Sequence, residues 1–202
     1  KCSALKKIHC AAYEIGEAAF AGCTALVWAQ FSQVKHLRKR LFAGCTNLET
    51  CLCENVEKIQ SYCFSSCIKL QQYNFTSLSY IGEYAFANCE SLSSITFQDG
   101  IYLDAHALED CSHLAQICLS GSQGFISLKE YALSGCTALC QIIYQGKKWI
   151  FNSYADLLSD EIPETARLLY HSALSCFSVE NEENLTGYRG SATLVCIPAG
   201  IK

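Results

Sequence analysis

The sequence of 202 residues contains no methionine, only two prolines and few charged residues, which make up 17% of the chain. Because half of the residues are hydrophobic and proline is scarce, long disordered segments are not expected. No run approaches the ~20 apolar residues that a membrane-spanning helix requires. The net charge of −4 argues against a general nucleic-acid or membrane-surface binder. These absences predict a folded chain with no nucleic-acid partner and no direct membrane insertion.

What the sequence does contain is one short pattern repeated six times. A phenylalanine or leucine is followed after three residues by cysteine, and after three more by leucine. The copies are Phe20-Cys23-Leu26, Phe42-Cys45-Leu48, Phe64-Cys67-Leu70, Phe86-Cys89-Leu92, Leu108-Cys111-Leu114 and Leu133-Cys136-Leu139, and a partial copy, Cys2-Leu5, precedes them. The interval between successive leucines is nearly constant, and a loop insertion at 120–124 lengthens the last one. Such a period predicts one unit stacked on copies of itself, because a single unit cannot bury its own apolar face.

The repeat over 82–103 predicts how one turn of this coil is built. Residues 82–86 predict a short helical or 3₁₀ turn, 88–91 a corner, and 92–97 a strand whose alternate side chains point inward. After a turn signal, a second short strand ends at Leu103.

The family resemblance lies in the pattern Ile-Gly-x-x-Ala-Phe-x-x-Cys-x-x-Leu, found as IGEAAFAGCTAL at 15–26 and as IGEYAFANCESL at 81–92. It resembles the BspA-like leucine-rich repeat family over about residues 1–145. The resemblance implies an α/β solenoid, a right-handed leucine-rich-repeat coil of short strands and short helical or 3₁₀ turns. Leucine replaces the phenylalanine at 108 and 133 and alanine replaces the mid-strand Ile or Val at 29, which we interpret as packing variations.

Residues 146–202 break the period and are interpreted as an extension of the solenoid, not as an independent domain. An amphipathic helix is expected over 148–159, followed by a strand over 166–170. From Phe177 onward the sequence resembles a hairpin module of the same family, which leads into a further, truncated repeat. The expected organisation is therefore a solenoid over 1–145 and a helix, strand and hairpin over 146–202.

The two ends of the sequence indicate a piece of a longer protein. The chain begins in mid-repeat, without an initiating methionine or a signal peptide, so the missing export signal carries no information on localisation. Neither end has the polar repeat that normally caps a solenoid. Exposed sheet edges are therefore expected, and they would allow copies of the chain to associate end to end.

Seven of the fifteen cysteines occupy one site of the repeat and are predicted to form a reduced, buried ladder. Neighbouring copies of that site lie about 5 Å apart, the spacing of stacked strands. A free cysteine fits there as a small apolar residue with a weak thiol donor. Disulfides at a few other sites, or a zinc site formed by Cys51, Cys53, Cys63 and Cys67, are the alternatives. Each of these four cysteines has a packing position in the repeat, so neither a metal nor a cofactor is predicted.

Enzymatic chemistry finds little support in the sequence. A thiol nucleophile needs a base within hydrogen-bond reach. The outward cysteine that most resembles a nucleophile is Cys118, and its expected strand neighbours, Thr96 and Ile143, are not bases. No catalytic residue is therefore predicted.

The one dense basic run covers residues 35–40, on the second strand and turn of a single repeat. Most such runs are solvated surface, and a site for an acidic glycan or anionic partner is the alternative. A nucleic-acid site would need basic residues at the equivalent positions of the next repeats. Glu57, Lys58, Ser79 and Tyr80 stand there and do not supply them.

The candidate binding face is formed by the residues two and four after each repeat leucine, which should point outward from the principal strands. Stacked strands create an extended, rigid surface suited to a protein or glycan, and Trp28 is a candidate anchor. An ordinary solvated sheet face is the alternative. The residues are Lys7, His9, Trp28, Gln30, Thr50, Leu52, Gln72, Asn74, Ser94, Thr96, Gln116, Cys118, Gln141 and Ile143.

The resemblance implies a non-enzymatic protein-interaction module within a larger cell-surface or secreted bacterial protein, acting in adhesion to host or other cells. The partner, a protein or glycan, is not identified by the sequence. A passive spacer that holds other domains away from the cell is the second hypothesis, and a thiol enzyme or metal-binding protein is the third.

Overall fold

Each repeat forms one turn of a β-solenoid with three walls. The computed structural model describes residues 2–97, 100–120, 126–144, 146–150, 177–181 and 184–188. The first wall contains β1 (Lys7–Cys10), β2 (Trp28–Phe31), β4 (Thr50–Leu52), β6 (Gln72–Tyr73), β8 (Ser94–Phe97), β10 (Gln116–Leu119) and β12 (Gln141–Tyr144). The second wall contains β3 (His36–Leu37), β5 (Lys58–Ile59), β7 (Tyr80–Ile81), β9 (Ile101–Leu103) and β11 (Ile126–Leu128).

The strands of each wall stack in parallel at the period of the sequence. In the first wall, Ala29 lies opposite Cys51 and Ile117 opposite Ile95, so that each residue faces its equivalent in the next repeat. The second wall is one continuous sheet in the order β11-β9-β7-β5-β3. The predicted stacking, in which equal positions of successive repeats become rows on the molecule, is confirmed.

The third wall consists of stacked turns, and the prediction of short helical or 3₁₀ turns is wrong, since no helix is assigned among the described residues. The N–H groups alternate between two kinds of partner. Those of Phe42 and Gly44 donate to the next repeat, to the carbonyls of Cys63 and Ser65, both at 2.8 Å. That of Ala43 donates within its own turn, to the Arg40 carbonyl at 3.1 Å. A continuing helix bonds successive N–H groups within its own chain segment, whereas here every second donor bonds to the next repeat, so the turn does not continue as a helix.

The backbone torsions of this wall repeat as regularly as its hydrogen bonds. Each turn has two residues with positive φ, four positions apart, a conformation that non-glycine residues seldom adopt. The repeated contacts between turns hold residues other than glycine in it. The first of the two residues is Ala18, Arg40, Tyr62, Tyr84, His106 or Tyr131, and the second is Gly22, Gly44, Ser66, Asn88, Asp110 or Gly135.

The core is a column of apolar side chains enclosed by the three walls. The rings of Phe42, Phe64 and Phe86 stack with centroids 5.3 and 5.1 Å apart. Leu108 and Leu133 continue the column fully buried, as does Ala29 at its strand position. The three departures from the repeat pattern are therefore packing variations, as predicted.

The C-terminal extension differs from the prediction where the structure describes it. Residues 148–150, predicted to begin a helix, belong instead to β13 (Lys147–Ile150), which pairs antiparallel with β12. Trp149 lies opposite Ile142 in this pair and packs against the core. The rest of the predicted helix and the strand over 166–170 lie outside the described residues. The expected hairpin is present as β14 (Phe177–Asn181) and β15 (Asn184–Tyr188), an antiparallel pair.

Two glycines at the same repeat position offer a direct test of how closely the repeats approach. A Cβ atom on Gly82 would lie 2.8 Å from the backbone nitrogen of Ser61 in the preceding repeat, whereas one on Gly16, which has no preceding repeat in the given sequence, would meet nothing within 4 Å. Gly82→Ala should therefore lower the free energy of unfolding by about 1–3 kcal/mol. Gly16→Ala should leave it unchanged or raise it by up to about 1 kcal/mol. Urea denaturation followed by circular dichroism measures both, and equal losses in the two variants would contradict the packing described here.

Candidate interaction surfaces

The predicted outward positions of the first wall lie in register along the stack. Trp28 pairs with Lys7 on one side and with Thr50 on the other, and Gln116 lies between Ser94 and Gln141. Burial alternates along the best-formed strands, with both outward residues of β8 exposed and both inward residues buried. Within these strand pairs the outward positions align as expected, whereas the role of the face in binding remains a prediction.

Trp28, the expected anchor, is less exposed than a free tryptophan on a sheet would be. It is half-buried and its ring meets that of His9 edge-on, with centroids 6.3 Å apart. His9 pairs with Gln30 in the neighbouring strand. The indole is therefore held by its neighbours, which lowers the entropy that it would lose in a complex.

Tyr73 divides the first wall into two sheets, β1-β2-β4-β6 and β8-β10-β12-β13. It occupies an inward position in the repeat, yet it is only half-buried. Its hydroxyl donates to the Ser94 carbonyl at 2.9 Å and accepts from the Thr96 N–H at 3.3 Å. The phenol thus replaces main-chain pairing between β6 and β8, and burial raises its pKa. The candidate face consequently has a boundary in its middle that the sequence did not reveal.

Six of the seven recurrent cysteines are buried and lie in a row along the stack, and five of their thiols donate to a defined carbonyl. The Sγ of Cys67 donates to the Phe42 carbonyl at 3.2 Å, and that of Cys89 donates to the Phe64 carbonyl at 3.2 Å. The same contact, from a thiol to the carbonyl one repeat earlier, is made by Cys45, Cys111 and Cys136. Cys23 is also buried, whereas Cys2, at the start of the chain, is exposed. The ladder therefore stabilises the stack.

Burial makes these thiols poor nucleophiles. It raises the pKa of Cys45 to about 11 and that of Cys67 well above its ordinary value. Because the thiolate is the reactive form, such cysteines are inert at neutral pH. All thirteen cysteines in the described part of the chain are free.

The four cysteines considered for zinc do not form a recognisable metal centre. The sulfurs of Cys51 and Cys53 lie 3.7 Å apart in the core, both fully buried. Burial, followed by the contact with Cys53, raises the pKa of Cys51 well above its ordinary value. Within the described ranges, no group of three or more His, Cys, Asp or Glu residues is arranged to hold a metal ion.

Cys118 has the neighbours that the sequence indicated. It is half-buried and lies opposite Thr96 on one side and Ile143 on the other. Neither neighbour can act as a base, so these contacts supply nothing that would activate the thiol.

Two residues of the basic run over 35–40 are paired with carboxylates of neighbouring repeats. Lys35 contacts Glu57 at 2.7 Å and Arg38 contacts Glu14 at 3.3 Å. The hydrogen bond from Lys35 holds the pKa of Glu57 below its usual range. Arg40 lies over the ring of Tyr62, with its guanidinium carbon 5.4 Å from the ring centroid. The pairing favours an ordinary solvated surface over a binding site for a simple anion.

A stacked column of aromatic rings on the third wall was missed by the sequence analysis. The rings of Tyr62 and Tyr84 are 5.0 Å apart, those of Tyr84 and His106 4.5 Å, and those of His106 and Tyr131 5.2 Å. All four residues occupy the first positive-φ position of their repeat. Their recurrence at one position of four successive repeats was the signal that could have found them. Because the faces cover one another, the column strengthens the third wall more than it offers ring faces to a ligand.

Comparison with known proteins agrees with this architecture. The profile of the "BspA type Leucine rich repeat region" matches with six copies, over residues 1–115, 50–157 and 73–180. The chain belongs to this family of leucine-rich repeat proteins. No curated protein sequence matches it.

Two crystal structures resemble this one. A leucine-rich repeat protein of T. pallidum, 24% identical, superimposes with a TM-score of 0.54 over 62% of this chain and 70% of its own, which shows the fold alone. A leucine-rich repeat protein from Bacteroides ovatus, 27% identical, has a TM-score of 0.56 over 64% of this chain. The present chain spans about a third of that protein, 34% of its length. Among the described residues, no helix has the length and apolar character needed to cross a membrane.

The thiol ladder predicts a sharp division in cysteine reactivity. With iodoacetamide at pH 8, Cys2 and Cys10 should be alkylated within minutes because they are exposed. Cys45 and Cys67 should stay unmodified until urea unfolds the chain, since their raised pKa values leave almost no thiolate at this pH. Peptide mass spectrometry before and after unfolding measures the difference. Alkylation of the ladder cysteines at the rate of Cys10 would contradict their burial.

Proposed function

We propose that this chain is a non-enzymatic protein-interaction module, part of a larger cell-surface or secreted bacterial protein that acts in adhesion to host or other cells. Leucine-rich repeat modules generally bind proteins, and membership of the family supports the proposal. The observation that supports it is the register within each of the two sheets of the first wall, which aligns outward side chains of successive repeats in rows.

A surface of this kind suits a large partner. Main-chain pairing fixes the spacing of the side chains, so little conformational freedom is lost when a partner binds. The rows carry amides and hydroxyls that can both donate and accept hydrogen bonds, such as Gln72 and Gln116, and few charges. Trp28, already held against His9, is the kind of large aromatic side chain that often contributes most to an interface.

The proposal also states that the chain has no enzymatic activity. Burial raises the pKa of ladder thiols such as that of Cys67, which makes them unreactive. Cys118 lies between Thr96 and Ile143, and neither of these residues can act as a base. These contacts support a role in recognition over one in thiol chemistry.

The proposal predicts saturable binding of the immobilised chain to one or more purified host matrix proteins. Trp28→Ala should weaken that binding by at least about tenfold, and Gln116→Ala by a few fold, since an anchor contributes more than a peripheral polar contact. Lys129→Ala is the matched control, because this exposed residue follows β11 in the second wall. Surface plasmon resonance measures the three affinities.

Two results would contradict the proposal. If no matrix protein binds saturably, the chain is better explained as a passive spacer. If Lys129→Ala weakens binding as much as Trp28→Ala does, the first wall is not the binding face.

A further inference from the structure

A groove of about 590 Å³ follows the segments that connect the first wall to the second. Its lining comes from four consecutive repeats, beginning with Tyr13 in the first and ending with Ser77 in the fourth. The volume lies within the range of about 300–1,000 Å³ that is usual for sites of small ligands. The groove lies outside the rows of the first wall and has no part in the proposed protein-binding face.

The charged residues of the groove present donors and acceptors in equal number. Lys35 and Arg38 donate, while Glu57 and Glu14 accept. Both ion pairs are accessible to solvent, and the Glu14 side chain is 80% exposed. An ionised carboxylate accepts about four hydrogen bonds and a guanidinium donates five. One contact within each pair therefore leaves most of this capacity for a ligand.

Asn55 adds to the lining of the groove a neutral side chain that can both donate and accept hydrogen bonds. Its amide nitrogen donates to the Ser32 carbonyl at 2.9 Å, which fixes the orientation of the side chain. Asn55 lines the groove, and its Oδ1 accepts no hydrogen bond from a described residue, so it can accept one from a ligand.

Tyr13 supplies the one large aromatic surface at the edge of the groove. Its side chain is 73% exposed, one of only two large hydrophobic residues so exposed among those described. Its ring stacks on no other described aromatic ring, in contrast to the rings of the third wall, which cover one another. A flat apolar face next to a row of hydrogen-bonding groups remains open to a ligand.

Because the groove contains both hydrogen-bond donors and acceptors, it favours some classes of ligand over others. A simple anion needs donors alone and would be repelled by Glu14 and Glu57, which border the same groove. A saccharide needs donors and acceptors together, since each hydroxyl both donates and accepts, and its C–H face can lie on an aromatic ring. We infer that this groove binds a neutral oligosaccharide, with one sugar ring on Tyr13 and its hydroxyls on Asn55, Glu57 and Arg38. The inference is independent of the proposed protein-interaction function.

The test uses ligands that differ in charge but share a sugar core. Lactose, maltose and cellobiose serve as neutral probes, 3′-sialyllactose as the acidic counterpart of lactose, and an oligoglutamate peptide as an acidic protein segment. Saturation-transfer NMR on the full chain detects binding, and titration gives affinities in the millimolar range typical of single sugar sites. At least one neutral probe should bind saturably, and addition of a sialic acid should not strengthen that binding.

Substitutions of groove residues test whether the sugar binds in this groove. Tyr13→Ala should weaken it by at least about tenfold, while Tyr13→Phe, which keeps the ring, should stay within about threefold of the unchanged chain. Glu57→Gln should weaken it several-fold by removing a charged acceptor. Because Tyr13 is exposed, its variants should keep the urea midpoint of the unchanged chain.

Three outcomes would overturn the inference. The first is failure of every neutral probe to saturate at concentrations up to about 50 mM, where even weak sites are occupied. The second is binding of 3′-sialyllactose or oligoglutamate without binding of lactose, which would assign an anion site. The third is sugar binding that Tyr13→Ala leaves unchanged, which would place the ligand elsewhere.

Discussion

In five successive turns of the solenoid one carbonyl group accepts two hydrogen bonds, and the rest of the structure depends on this arrangement. The carbonyl of Phe42 accepts the N–H of Cys45, in its own repeat, at 2.9 Å. It also accepts the thiol of Cys67, from the next repeat, at 3.2 Å. The first hydrogen bond closes the corner of a turn. The second fixes the distance between this repeat and the next along the solenoid axis. Cysteine suits this position because its thiol donates weakly while the side chain packs as a small hydrophobe.

The shared carbonyl fixes the spacing of successive repeats, and this spacing aligns equivalent side chains in rows on the surface. With the height of each turn fixed, the first wall aligns polar side chains, the second aligns short strands, and the third aligns turns whose donors alternate between repeats. The same alignment stacks Tyr62, Tyr84 and His106 face to face on the third wall. Regular rows favour extended partners on the first wall. The groove lies where Tyr13 and Glu14 border the paired basic residues of the following repeat.

The periodic part of the fold could be predicted from the sequence, because position within a repeat determines position on the molecule. The cysteine ladder, the strand register and the outward rows all follow from the nearly constant length of the repeat. The third wall could not be predicted in the same way, since apolar spacing alone does not show whether an N–H bonds within its turn or to the next repeat. Apolar residues such as Ala85 and Phe86 are equally compatible with a helical turn and with the turn observed, so the sequence led to the wrong prediction of a helix.

Residues that depart singly from the repeat pattern were even harder to predict from the sequence. Tyr73 fits the inward pattern, and only the structure shows its hydroxyl inserted between two strands. Trp149 fits an amphipathic helix as well as the strand β13, the outermost described strand of its sheet. The groove depends on side chains from four repeats that share no pattern, so no periodic signal could have indicated it.

The infrared S–H stretching band reports directly on the junction between repeats, because it lies in a region free of other protein absorption. A thiol that donates to a carbonyl absorbs at lower frequency than a free one. We expect a dominant low-frequency band, from which Cys67→Ala removes one component and Cys10→Ala, at an exposed site, removes none. A band at the frequency of free thiols, unchanged in shape by Cys67→Ala, would show that the ladder does not join successive repeats.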